Sequence, residues 1–125
     1  MTTPLHYASR LNHMEAMQML IDHGAKVNAI DVDGYTPIHE ASINNHIEAA
    51  QLLLDNGVDI NQTAHRNRTI LHWAVHHGLT NLIPLLISYG ANINAQSNFG
   101  FTPLDYANWK GKHWTQLLID LGAKN

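Results

Sequence analysis

A short motif recurs at a constant interval of 33 residues along this chain. It begins at Thr3, Thr36, Thr69 and Thr102, and its copies are Thr-Pro-Leu-His, Thr-Pro-Ile-His, Thr-Ile-Leu-His and Thr-Pro-Leu-Asp. A single globular core has no reason to repeat a motif at fixed spacing, whereas a period between about 20 and 50 residues is typical of stacked supersecondary units. The spacing therefore predicts one repeat domain that covers residues 1–125.

Each copy of the motif predicts the start of a short helix. A Thr hydroxyl can accept from the free amide groups of a first helical turn, and Pro at the next position lacks a donor where none is needed. An apolar residue and an Ala follow at helical spacing and predict a narrow buried face. These columns are Leu5, Ile38, Leu71 and Leu104, then Ala8, Ala41, Ala74 and Ala107.

Two further columns divide each repeat into a pair of helices. Residues that tolerate left-handed backbone predict a break after the first helix, and glycines predict the end of the second. The break column is Asn12, Asn45, Gly78 and Gly111, and the terminal column is Gly24, Gly57, Gly90 and Gly122. Pro84 falls in the second helix of the third repeat, where we expect a local kink.

The fourth repeat departs from the pattern in ways typical of a capping repeat. Asp105 replaces the motif His, and Asn108 occupies a column that is otherwise small and apolar. The interval from Gly111 to Leu117 is one residue shorter than that from Gly78 to Leu85. We therefore expect a polar terminal repeat with a shortened second helix, the missing residue lying near positions 112–115.

The 33-residue period with this motif resembles the ankyrin repeat, over essentially the whole chain. The resemblance implies an all-α repeat solenoid in which stacked antiparallel helix pairs are joined by β-hairpin fingers. The repeats would span about 1–30, 31–63, 64–96 and 97–125, the first lacking its finger. It also implies that the motif histidines His6, His39 and His72 bond one repeat to the next. Gly34, Asn67 and Gly100 share the turn column of the fingers, where positive φ is expected.

The resemblance also implies a function, because ankyrin proteins generally serve as binding scaffolds. We expect a protein–protein interaction module that binds a protein or peptide in its groove, with no enzymatic activity, metal or cofactor. The candidate residues flank the motif His and the finger turns, and many are of the types enriched at binding hot spots. They are Asp31, Asp33, Tyr35, Glu40, Ile43, Arg66, Arg68, Trp73, His76, Phe99, Phe101, Tyr106 and Trp109.

Charge is distributed unevenly along the repeats. Residues 1–62 carry two basic and eight acidic side chains, whereas residues 63–125 carry five and two, so the net charge is −3. This dipole would orient a partner along the groove and raise its association rate. With only one short basic cluster and a pI of about 6.3, the chain lacks the electrostatic signature of a nucleic-acid-binding protein.

Other features favour an intracellular protein. The sequence contains no Cys, so no disulfide framework is expected. It shows no leader and no apolar run near the roughly 18 residues that a membrane span requires. We therefore expect a monomer that does not bind membranes and is located in the cytoplasm, with the nucleus as the alternative.

Ten histidines suggest a metal-binding or catalytic protein as an alternative. His72 and His76 are four residues apart on a predicted helix, a spacing that places two imidazoles on one face. However, Trp73 stands where a zinc hydrolase of the His-Glu-x-x-His type carries its Glu. If the motif histidines are instead held neutral in the fold, stability should fall as the pH drops below their unfolded pKa.

A reader of a histone tail or another cationic residue is the second alternative. The segment from Gly34 to Ala41 is similar to one by which the ankyrin domains of some chromatin scaffolds bind an unmodified histone lysine. Glu40 could also join Trp73, Tyr106 and Trp109 in an aromatic cage for a cation.

Overall fold

The computed structural model describes residues 2–123, apart from the side chain of His65. This part of the chain contains eight α-helices, two short 3₁₀ turns and no β-strand. The helices form four consecutive pairs. Their bounds are α1 (Pro4–Arg10), α2 (Met14–Asp22), α3 (Pro37–Ile43), α4 (Ile47–Asp55), α5 (Ile70–His76), α6 (Leu82–Ser88), α7 (Pro103–Lys110) and α8 (Lys112–Asp120); the 3₁₀ turns are His65–Asn67 and Asn98–Gly100.

The first helix of every pair begins directly after the motif Thr, as the sequence predicts. In the first repeat, the His6 N–H donates to Thr3 Oγ1 at 3.3 Å, and the Thr3 N–H donates to His6 Nδ1 at 3.2 Å. This reciprocal capping box is present in all four pairs. In the last pair, the Asp105 carboxylate replaces the imidazole and accepts from the Thr102 N–H at 2.9 Å. Asp105 therefore keeps the cap.

The motif histidines also connect successive repeats. His6 Nε2 lies 2.9 Å from the Tyr35 carbonyl oxygen, and His72 Nε2 lies 2.9 Å from that of Phe101. Because Nδ1 of each ring accepts from a backbone N–H, Nε2 carries the proton and donates to the carbonyl. The bridging role that the resemblance implied is confirmed at these two histidines.

The helices form two rows. Helices α1, α3, α5 and α7 contact one another in sequence, and each is followed by a partner from the second row, such as α2 or α8. The core lies between the rows and recurs in every repeat. Leu5, Ile38, Leu71 and Leu104 are each at most 3% exposed, which confirms that they occupy equivalent buried sites.

The fingers are tight turns, and the predicted β-hairpins are not confirmed. Each turn is closed by two backbone bonds within five residues, for example from the Asp31 N–H to the Tyr35 oxygen at 2.8 Å and from the Gly34 N–H to the Asp31 oxygen at 3.0 Å. Bonds confined to the turn do not extend into the ladder that defines a strand pair. The turn column itself is confirmed, since φ is 84° at Gly34, 56° at Asn67 and 79° at Gly100.

Two details of the second helices differ from the sequence prediction. Helix α8 has nine residues, as do α2 and α4, so the expected shortening of this helix is wrong. The connection between α7 and α8 is shortened instead, since it consists of Gly111 alone, at φ 140°. Helix α6 begins only at Leu82 and has seven residues. Pro84 is thus in its first turn, where an N–H has no intrahelical partner, so no kink is needed.

Candidate functional site

The predicted groove residues line two neighbouring pockets formed by the finger turns and the first-row helices. The first pocket, of about 390 Å³, lies beside the finger at residues 31–35. The second pocket, of about 460 Å³, lies between the fingers at residues 64–68 and 97–101. The first pocket contains Asp31, Asp33, Tyr35, Glu40, Ile43 and Trp73, and the second contains Arg66, Arg68, His76, Phe99, Phe101, Tyr106 and Trp109.

An ion pair occupies one wall of the first pocket. Arg10 Nε donates to Glu40 Oε2 at 2.8 Å, and Nη2 donates to Oε1 at 3.0 Å. Two parallel bonds of this kind are the strong form of an Arg–carboxylate contact. Glu40 is also only 8% exposed. Its charge is therefore already neutralised, and Glu40 is not free to receive the ammonium group of a lysine.

Asp31 and Asp33 have different roles at the rim of this pocket. Asp31 is buried, and its Oδ1 accepts from the N–H groups of Asp33 at 2.9 Å and Tyr35 at 3.0 Å. A carboxylate that bonds the backbone two residues on stabilises a turn. Asp31 thus shapes the finger, whereas Asp33 is exposed and can meet a partner.

Trp73 is a core residue at the floor of the first pocket. It is 5% exposed, and its ring centroid lies 5.0 Å from Tyr35 and 5.2 Å from His39. Its indole N–H has no hydrogen-bond partner among the described residues. The aromatic cage expected from Glu40, Trp73, Tyr106 and Trp109 is therefore not assembled, because its first two members lie in one pocket and its last two in the other.

A row of neighbouring rings, tilted or edge to face, connects the two pockets. Trp73 contacts His77 at 4.1 Å, His77 contacts His76 at 4.9 Å, and His76 contacts Tyr106 at 6.2 Å, measured between ring centroids. The sequence-based site list omits His77, although its position four residues after Trp73 places both on one helix face. The row joins the two pockets, whose combined surface we call the groove face.

The second pocket presents the most exposed aromatic side chains of this face. Phe99 is 94% exposed at the tip of its finger, Trp109 is 64% exposed, and Phe101 is 38% exposed. Phe101 and Trp109 meet edge to face at 4.9 Å. Tyr106 completes the cluster with its ring 5.3 Å from Trp109. Rings held this way offer a large, rigid apolar area to a partner.

Two bulky residues at the fingertips have left-handed backbone. Arg66 has φ 60°, and Phe99 has φ 66°. This conformation is uncommon for side chains other than Gly, Asn or Asp. Strained backbone of this kind clusters at functional sites. Its presence at two exposed fingertips marks the rim of the second pocket as a candidate binding site.

Burial and nearby positive charges lower the pKa of His76, which lines this pocket, and of its neighbour His77. Burial lowers the pKa of His76, and the charges of Arg68 and Lys110 lower it further. The pKa of His77 is lowered by burial, then by His76, Arg68 and Lys110. The same positive charges that disfavour an imidazolium favour an anion on a ligand.

The alternative of a histidine metal site lacks support from the geometry. Nδ1 of His72 accepts from the Thr69 N–H at 3.1 Å, and Nε2 bonds the Phe101 oxygen, so neither nitrogen is available for a metal. Among the side chains that the structure describes, which exclude that of His65, no three of ligand type come together to hold a metal ion. In the same residues, no helix combines the length and apolarity needed to cross a bilayer.

Comparison with known proteins agrees with the fold. A family model described as ankyrin repeats (3 copies) matches residues 1–64, and another described as ankyrin repeats (many copies) matches residues 53–107. No curated protein sequence matches the chain. Ankyrin repeats are generally protein–protein interaction modules and are typically not enzymes. The first match alone covers more than half of the chain, and this chain therefore belongs to the ankyrin repeat family.

Proposed function

We propose that the groove face is the surface by which this protein binds a partner protein or peptide. The observation that carries the proposal is Phe99, which is 94% exposed and has left-handed backbone at a fingertip. A large apolar side chain in water does not stabilise the fold, and its backbone conformation is unfavourable. Both costs are understandable if Phe99 is buried against a partner.

The groove residues divide into those that contact the partner and those that shape the site. Phe99, Phe101, Trp109, Arg66 and Asp33 project from the fingers and α7 and would make the contacts. The enrichment of Trp and Arg at hot spots supports this assignment. The buried Asp31, Glu40 and Trp73 shape the first pocket.

The proposal is tested by capturing partners from a lysate of the source cells on the immobilised protein. We compare Phe99→Ala/Trp109→Ala with a control, Leu11→Ala/Met19→Ala, whose side chains are exposed but line neither pocket. Truncation of one hot-spot residue weakens binding by about 30-fold. The first variant should therefore lose the partner while the control keeps it. Circular dichroism verifies that both are folded, and a partner retained equally by both variants would move the interface off the groove.

A further inference from the structure

We propose that the second pocket binds an acidic peptide segment that inserts one large apolar side chain between Phe99 and Trp109. This inference rests on the proposed function, because it names the chemical class of the partner that the groove binds.

The shape of the pocket favours a single apolar side chain as the inserted group. Its volume of about 460 Å³ exceeds what one aromatic or long aliphatic side chain occupies, leaving room for adjoining backbone. Phe101 and Trp109 line the pocket with their rings at 82° to each other, and Phe99 lines it from the fingertip. Aromatic pairs of this geometry present both ring faces and ring edges, which suits apolar and aromatic guests.

The charges around the pocket select a peptide with carboxylates beside that side chain. Arg66 is exposed at the rim, and none of the described carboxylates forms an ion pair with it. Arg68 lines the same pocket. The acidic residue of α7, Asp105, does not line this pocket, and its carboxylate bonds Thr102 in the capping box. Arginine is well suited to bidentate recognition of a carboxylate.

Single-stranded nucleic acid could also stack on exposed rings beside arginines. The adjoining first pocket argues against it. A strand that continued along the groove would meet Asp31 and Asp33, which line that pocket. The chain as a whole has a net charge of −3, which opposes a polyanion. A short acidic segment in the second pocket avoids these carboxylates.

The test selects peptides from a random-peptide phage library on the intact protein. We expect enriched sequences in which Trp, Phe, Leu or Met is flanked by Asp or Glu. A representative synthetic peptide is then titrated by fluorescence anisotropy. Arg66→Glu should weaken its binding by about tenfold, and Phe99→Ala should weaken it by at least as much. The matched control Glu48→Lys, a charge reversal of opposite sign at an exposed residue of α4 that lines neither pocket, should not weaken it.

The outcomes separate this inference from the proposed function. Enriched peptides that are neutral or basic but still need Phe99 and Trp109 would overturn the acidic specificity and leave the groove as the binding surface. Peptides that bind Phe99→Ala/Trp109→Ala as tightly as the wild type would overturn both. Three other results would each refute the inference. These are an absence of enriched peptides, displacement of the peptide by a single-stranded DNA oligonucleotide at equal concentration, and unchanged peptide affinity in Arg66→Glu.

Discussion

Protonation of a buried motif histidine should destabilise this protein at mildly acidic pH. His39 is 7% exposed, and its Nδ1 accepts from the Thr36 N–H at 3.1 Å. A protonated Nδ1 could not accept that bond. Burial, followed by the charge of Arg68, lowers the pKa of His39 from 6.5 to about 4. The folded protein therefore resists protonation where the unfolded chain does not.

The sign and size of the effect follow from proton linkage. Because the folded pKa is depressed, the stabilisation is fully present above the unfolded value of about 6.5 and is lost as the pH falls toward about 4. Between about pH 7.5 and about pH 5.5, one such histidine removes about 1.4 kcal/mol from the free energy of unfolding. For a domain of this size, that corresponds to a fall in Tm of about 5 °C. Burial also lowers the pKa of His72, which adds to the loss in the same direction.

Urea unfolding at a series of pH values measures this loss directly. The informative variant is His39→Gln, because Gln can accept the same capping bond but does not titrate. Its loss of unfolding free energy over this pH range should be smaller than that of the wild type by about 1.4 kcal/mol. His113→Gln removes an exposed imidazole and serves as the control. If wild type and His39→Gln lose the same free energy on acidification, the assignment of the effect to His39 is wrong.

Two further predictions concern the groove face. A double-mutant cycle with Arg10→Ala and Glu40→Ala should show a coupling energy of about 1–2 kcal/mol between the two side chains, because the carboxylate is buried while the guanidinium is partly exposed. Urea unfolding of the four proteins measures it. Additive effects of the two substitutions would show that the two charges are independent. Phe99→Gly should be more stable than Phe99→Ala by about 1 kcal/mol, since only Gly relieves the left-handed backbone. Thermal unfolding compares the two variants, and a more stable Phe99→Ala would show that this backbone is not strained.

Much of the fold could be predicted from the sequence because its signals are local. A Thr cap, a positive-φ break and a terminal Gly each act within a few residues, and the 33-residue period repeats them. The predicted β-hairpins of the fingers are not confirmed. The sequence places the turn, but whether strands extend from it depends on how many backbone bonds form beyond the turn. Pro84 and the missing residue of the last repeat were also misjudged, since a helix can begin later or a connection can shorten without loss of packing.

The sequence by itself determined the repeat architecture and the face on which the thirteen candidate residues lie, because periodic burial fixes which side of each helix remains outside. Only the tertiary structure decided what each of these side chains does there. Arg10 and Glu40 are 30 residues apart, and their pairing depends on how α1 packs against α3. Trp73 and Phe99 are both aromatic in the sequence, yet one is 5% and the other 94% exposed. That difference arises from contacts between neighbouring repeats, which set the burial and charge of each groove residue.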